Sequence, residues 1–146
     1  MNRPLIIGFG NSLREDDGLG RHVAELLRAD ADGMNADIVQ CHQLAPELAA
    51  DVAASSLVVF LDAAVDREPG CVSCEPVFPD RITTWSHHLS PAQVMALAAE
   101  LTDALPAAFL VTGGIARTGW GEGLSAASLD SAERMAGVAR SLVCGS

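Results

Sequence analysis

Lysine is missing altogether from this chain of 146 residues, and so is tyrosine. All nine basic residues are therefore arginines, set against nineteen acids for a formal charge of −10. A field of that sign repels phosphate backbones, which argues against DNA or RNA as the main ligand. Aromatic residues make up 4% of the chain, too few for a base-stacking platform or an aromatic sugar-binding face. No apolar run approaches the roughly 20 residues of a membrane span, the longest in a strand pattern being Leu57 to Leu61. Met1-Asn2-Arg3-Pro4 leads into only a few apolar residues before Gly8, short of a signal peptide, so the expected compartment is the cytoplasm. Cysteine occurs at 41, 71, 74 and 144, and only Cys71-Val-Ser-Cys74 has a metal-like or redox-like spacing. With no second pair it reads as ordinary small residues of one strand.

Hydrophobic residues make up 49% of the chain, enough to fill a core. The length suits one domain over 1–146, with no repeat, low-complexity tract or linker. Pro4 to Gly10 reads as a short buried strand running into a turn. Gly18 to Arg28 follows as a helix, with Leu19, Val23, Leu26 and Leu27 on one face. Ala36 to Gln40 is a second strand, and Pro46 to Ala54 a helix with proline in its first turn. Ser56 to Asp62 is continuously apolar up to its acid, as expected of a strand covered on both faces. Cys71 to Pro76 is a weaker strand suited to an edge. Ser90-Pro91 opens a helix to about Leu101, with Ser90 as N-cap. Ala108 to Thr112 is a fifth strand, and Ser125 to about Leu142 a closing helix with a small-residue face. Strands alternating with helices predict a three-layer α/β/α fold around a mostly parallel sheet of about five strands.

The segment Gly8-Phe-Gly-Asn-Ser-Leu-Arg-Glu-Asp-Asp-Gly-Leu-Gly20 is the most informative. A dinucleotide loop would need a third glycine where Leu13 stands and an acid at Gln40 or Cys41. Glu15, Asp16 and Asp17 would also face a pyrophosphate with like charge. One acid would suffice to cap a helix, but three in a row exceed that need. Excess negative charge at the carboxyl end of a strand suits a cation or a cationic substrate group. Asn11 is placed to brace the loop through side-chain hydrogen bonds to backbone.

Asp62 ends the most apolar strand, and the carboxyl ends of parallel strands share one edge, where ligands bind. His87 and His88 stand just before the N-cap of the third helix, which a right-handed crossover brings to that edge. Two carboxylates and an imidazole on one rim suit nickel, zinc or manganese. His22, inside the first helix, reads as structural, and His42 as a rim residue. A phosphoacceptor receiver domain also carries acids after its first and third strands, but it requires a lysine that this chain lacks. Arg117, Trp120 and Glu122 follow the fifth strand in a glycine-rich loop, equally suited to substrate contact and to loop filling.

Together these residues resemble the hydrogenase maturation endopeptidases, which process the large subunit of nickel-iron hydrogenases. The resemblance spans nearly the whole chain. It rests on Gly8-Phe9-Gly10-Asn11 with Leu13, Asp16-Asp17 and Gly20, on Phe60-Leu61-Asp62-Ala63, and on His87-His88-Leu89-Ser90-Pro91. His42-Gln43-Leu44-Ala45-Pro46-Glu47-Leu48 looks like one branch of the family, standing where many members carry Gly-Gly-Thr. The resemblance implies metal ligands at Asp17, Asp62 and His87, with His88 as the alternative to His87. Asp17 stands where many members have glutamate, one methylene longer. It further implies Asp17 and Asp62 as catalytic acids, and Gly10, Asn11 and Gln43 as substrate contacts. The metal so implied is nickel already inserted in the precursor large subunit, bound transiently, with no resident organic cofactor. The reaction implied is removal of a C-terminal extension by water attack, since no serine or cysteine nucleophile with a partner histidine is evident. A non-catalytic metal-sensing or chaperone-like binder using the same ligands is the alternative.

Overall fold

The computed structural model describes residues 2–10, 18–29, 34–64, 67–80, 89–115 and 124–144. In chain order it contains β1 (Pro4–Phe9), α1 (Leu19–Arg28), β2 (Asp37–Cys41), α2 (Leu48–Ala53) and β3 (Leu57–Ala64). There follow β4 (Val72–Pro76), α3 (Pro91–Ala99), β5 (Ala107–Gly114) and α4 (Ala126–Cys144). The strands form one sheet in the order β2-β1-β3-β5-β4. Every pairing is parallel except that of β4, which runs antiparallel to β5 at the edge. The three-layer, mostly parallel α/β/α expectation is borne out, including the edge position of the weaker strand.

Successive residues of a strand point to opposite faces, so each central strand supplies two cores. Ile6, Val59, Leu61 and Val111 meet Leu19, Val23 and Leu27 of α1 and Ala132, Met135 and Ala139 of α4 on one face. Leu5, Ile7, Val58, Phe60 and Ala108 meet Ala49 and Val52 of α2 and Val94, Met95 and Ala98 of α3 on the other. Burial of each such large side chain contributes about 1.5–3 kcal/mol. That double coverage is why β3 reads as an unbroken apolar run.

Three local features differ from or refine the sequence reading. Helix α2 begins at Leu48 rather than Pro46, because Leu48 and Ala49 donate their N–H groups to Ala45 and Pro46 carbonyls, both at 3.1 Å. Those are three-residue steps of a tight turn that leads into the helix. Strand β3 runs two residues past Asp62, since Asp62, Ala63 and Ala64 stay in register with Thr112, Gly113 and Gly114. Helix α3 starts as read, and its cap is complete. The Ser90 hydroxyl accepts from the Gln93 N–H at 3.2 Å while the Gln93 side chain accepts from the Ser90 N–H at 2.9 Å.

Helix α1 lies unusually close to the sheet. A Cβ on Gly8 would stand 2.7 Å from that of Ala24 and closer still to the Gly20 carbonyl oxygen. A Cβ on Gly20 would stand 2.6 Å from the Phe9 carbonyl oxygen and closer still to that of Leu61. Only two glycines allow the first turn of α1 to rest on the backbones of β1 and β3. Gly20→Ala is therefore expected to cost about 1–3 kcal/mol through overpacking against rigid backbone. Gly137→Ala, inside α4 with nothing within 4 Å of the new Cβ, should instead gain about 0.5–1 kcal/mol. Urea midpoints of the two variants should move in opposite directions.

Candidate active site

The strand order reverses direction between β1 and β3. The chain leaves β1 through α1 to reach β2 on one side, then returns through α2 to β3 on the other. The helices that follow β1 and β3, namely α1 and α3, pack on opposite faces of the sheet. A crevice therefore opens at the carboxyl ends of these two strands, the place where open α/β sheets bind ligands.

Asp62 stands at this crevice. It follows Leu61, the register partner of Gly8, and is half-buried. Its Oδ1 accepts the N–H of Ala63 at 2.8 Å, which fixes one end of the carboxylate against its own strand. By strand alternation it shares the α2/α3 face with Val58 and Phe60. On that face its register partner is Thr112, and Thr112 is in turn the partner of Ser73 on β4. The Ser73 and Thr112 hydroxyls are hydrogen-bonded at 2.8 Å. A row of three polar residues thus crosses β3, β5 and β4 directly beyond the apolar pair Phe60 and Leu110.

Gly10 closes β1 at the same edge with its N–H on the Cys41 carbonyl at 3.2 Å and φ at +142°, a conformation open to glycine and rarely to other residues. Gly18 forms the N-cap of α1, so neither Asp16 nor Asp17 occupies that position. The two ends of segment 11–17, Gly10 and Gly18, are thereby both held beside β1 and β3. Asn11 and Asp17 themselves, like His87, His88, Arg117, Trp120 and Glu122, lie outside the described residues. Leu89, next along the chain from His88, packs on the α2/α3 core, the face that Asp62 shares. Gln43 is exposed just past the end of β2, with His42 exposed beside it, and His22 is a half-buried residue of α1.

At the end of β5, buried Ser131 of α4 donates to the Gly114 carbonyl at 3.1 Å and accepts the Gly70 N–H at 2.9 Å. This ties the turn before β4 to the rim. Cys71 and Cys74 are both exposed. Cys71 lies just before β4 and Cys74 within it. Among the described residues no group of three metal-binding side chains occurs. Thr112 and Ser73 were not singled out by sequence reasoning. Their only signal was a hydroxyl interrupting the apolar pattern of each strand.

No family model and no curated protein sequence matches the chain. Solved structures do. The chain is similar to the NiFe hydrogenase maturation protease HycI from Thermococcus kodakarensis KOD1, with 27% identity and a TM-score of 0.77 over 97% of this chain and 92% of that one. Over almost its whole length the chain thus resembles a hydrogenase maturation protease. The same fold is seen in the hydrogenase maturating endopeptidase HybD from E. coli, at 23% identity and a TM-score of 0.70 over 94% and 89% of the two chains. An endopeptidase from Escherichia coli shares it at 22% identity and a TM-score of 0.73, over 98% and 94%.

At the end of β2, burial pushes the Cys41 thiol pKa up, while the Arg21 guanidinium pulls it down. Less thiolate forms at a given pH, so alkylation slows. Cys41 in the native protein should react with iodoacetamide at pH 8 several-fold more slowly than a free thiol. Arg21→Gln should slow it further, and mass spectrometry of labelled peptides would follow both.

Proposed function

We propose that the protein is an endopeptidase that removes the C-terminal extension of a nickel-loaded hydrogenase large-subunit precursor. The observation that carries this reading is the placement of Asp62 at the β1/β3 crevice, beside both anchored ends of the acid-bearing segment 11–17, in a fold shared with maturation proteases. The partner is the precursor subunit, the working compartment the cytoplasm, and the catalytic unit the whole of 1–146 as one domain. No helix among the described residues is long and apolar enough to cross a membrane.

In this reading nickel belongs to the substrate. Asp17, Asp62 and His87, with His88 as the alternative imidazole, bind it transiently and so test whether insertion has occurred. Two carboxylates and one imidazole form an open set that leaves coordination positions for the substrate's own ligands. Gly10, Asn11 and Gln43 line the approach of the peptide. Glycine at 10 leaves backbone accessible there, and Gln43 offers both a donor and an acceptor amide.

Cleavage follows by water attack. The water oxygen bonds to the scissile carbonyl carbon while a carboxylate, Asp17 or Asp62, takes its proton. The proton then passes to the leaving nitrogen as the C–N bond breaks. Metal polarisation of the carbonyl is the other source of activation open to this ligand set.

Asp62→Asn keeps the side-chain shape and removes its charge. It should lower processing by about 100- to 10,000-fold, as should His87→Ala. The assay is mass spectrometry of nickel-loaded precursor with and without the protein, beside a nickel-free control. Loss of a C-terminal peptide from the loaded sample alone is the expected result. Cleavage regardless of nickel would remove the recognition role and keep the protease. A precursor that is bound and left uncut would replace the protease with a metal-sensing binder.

A further inference from the structure

We propose that the hydroxyl pair of Ser73 and Thr112 is a substrate subsite, which hydrogen-bonds the main chain of the precursor peptide about two to three residues from the scissile bond. The inference rests on the reading of Asp62 as a working carboxylate of an endopeptidase. Register places the pair. Thr112 of β5 is the parallel partner of Asp62, and Ser73 of β4 is the antiparallel partner of Thr112. All three stand one row beyond Phe60 and Leu110 on the α2/α3 face, and all three are half-buried rather than sealed in the core. Neighbouring strands lie about 4.8 Å apart, so Ser73 stands two strand spacings, roughly 10 Å, from Asp62. An extended peptide advances about 3.3 Å per residue. One that crosses the strand ends from Asp62 therefore meets the pair within about two to three residues.

The hydrogen-bond inventory of the pair shows what it can take. Each hydroxyl has a single proton to donate and lone pairs to accept with. The 2.8 Å bond between Ser73 Oγ and Thr112 Oγ1 uses one of the two protons. Among the described residues neither hydroxyl makes a further hydrogen bond. The pair thus keeps one O–H donor and spare lone pairs, the complement of the C=O and N–H of a peptide main chain. Whichever hydroxyl accepts within the pair holds the spare proton, and accepting makes it the better donor. Both groups are neutral, so they bind main chain without selecting for charge, in contrast to Asp62. A pair whose only task was to hold β4 on β5 would do as well with two β-branched apolar side chains, and would leave no donor to satisfy at a half-buried position.

The test uses the full-length protein and nickel-loaded precursor. A group that binds substrate and transition state alike raises KM and leaves kcat unchanged when it is lost. The double variant Ser73→Ala/Thr112→Val should therefore raise KM about 3- to 30-fold, with kcat unchanged and the melting temperature within about 5 °C. Thr112→Ser keeps the hydroxyl and should behave as the unmodified protein. A purely structural pair would lower the melting temperature and leave KM alone. An ester in place of the peptide bond at the second or third residue from the scissile bond removes a main-chain N–H and weakens the carbonyl as an acceptor. It should raise KM for the unmodified protein and add nothing in the double variant. An unchanged KM, a loss confined to kcat, or an ester penalty equal in both proteins would overturn the subsite. Full processing by Asp62→Asn would instead overturn the proposed role of Asp62. Calorimetric binding of uncut precursor scores the pair even without cleavage: weaker binding by the double variant keeps the subsite, and equal binding overturns it.

Discussion

The contact on which the rest of this structure depends is the seating of the first turn of α1 on the backbones of β1 and β3. Gly8 and Gly20 face each other across it, and the carbonyls of Phe9 and Leu61 lie where a side chain at position 20 would have to go. Close seating buries the face formed by Leu19, Val23 and Leu27 against the centre of the sheet. It also fixes where segment 11–17 begins and ends, because Gly10 closes β1 and Gly18 caps α1. Both ends of that segment are thus held at the edge at which Asp62 stands. Packing density, through two absent side chains, sets the location of the chemistry.

Beyond that seat the sheet changes character within a single row. Phe60 pairs with Leu110 inside the core, and the next residues on the same face, Asp62 and Thr112, are polar, with Ser73 continuing the row onto β4. A carboxylate placed one row deeper would lose its solvation among apolar neighbours, at a cost no hydroxyl offsets. Placed at the rim, it keeps contact with water and still stands on a rigid strand. A charge of −10 without any lysine keeps long, mobile ammonium groups away from that rim. Under the proposed role this would favour a metal carried by another protein, since a resident ammonium would compete with it for the carboxylates.

The edge strand β4 contributes in a different way. Its antiparallel run against β5 puts Ser73 beside Thr112. Pro76 ends the strand and Glu75 is exposed on it, features that discourage further strand pairing at an open edge. Buried Ser131 anchors the preceding turn by joining Gly70 to the Gly114 carbonyl. The strand that carries the outermost hydroxyl of the row is therefore held at both its sheet side and its turn.

Much of this architecture was legible in the residues themselves. The apolar run through Phe60 announced a strand covered on both faces, and Ser90-Pro91 announced the start of α3 with Ser90 as its cap. These are local signals, written in residues a few positions apart, and local geometry decides them. Asp62 could be read as a rim acid because the carboxyl ends of parallel strands share an edge whatever their order. The sequence by itself determined the elements, the fold class and the chemistry available at that edge. Only the tertiary structure decided that β3 lies between β1 and β5, that its pairing continues through Ala64, and that Thr112 and Ser73 extend the row from Asp62. Strand order and register arise from contacts between segments tens of residues apart. No local pattern encodes them, because each strand can satisfy its own hydrogen bonds and its own apolar alternation beside more than one neighbour.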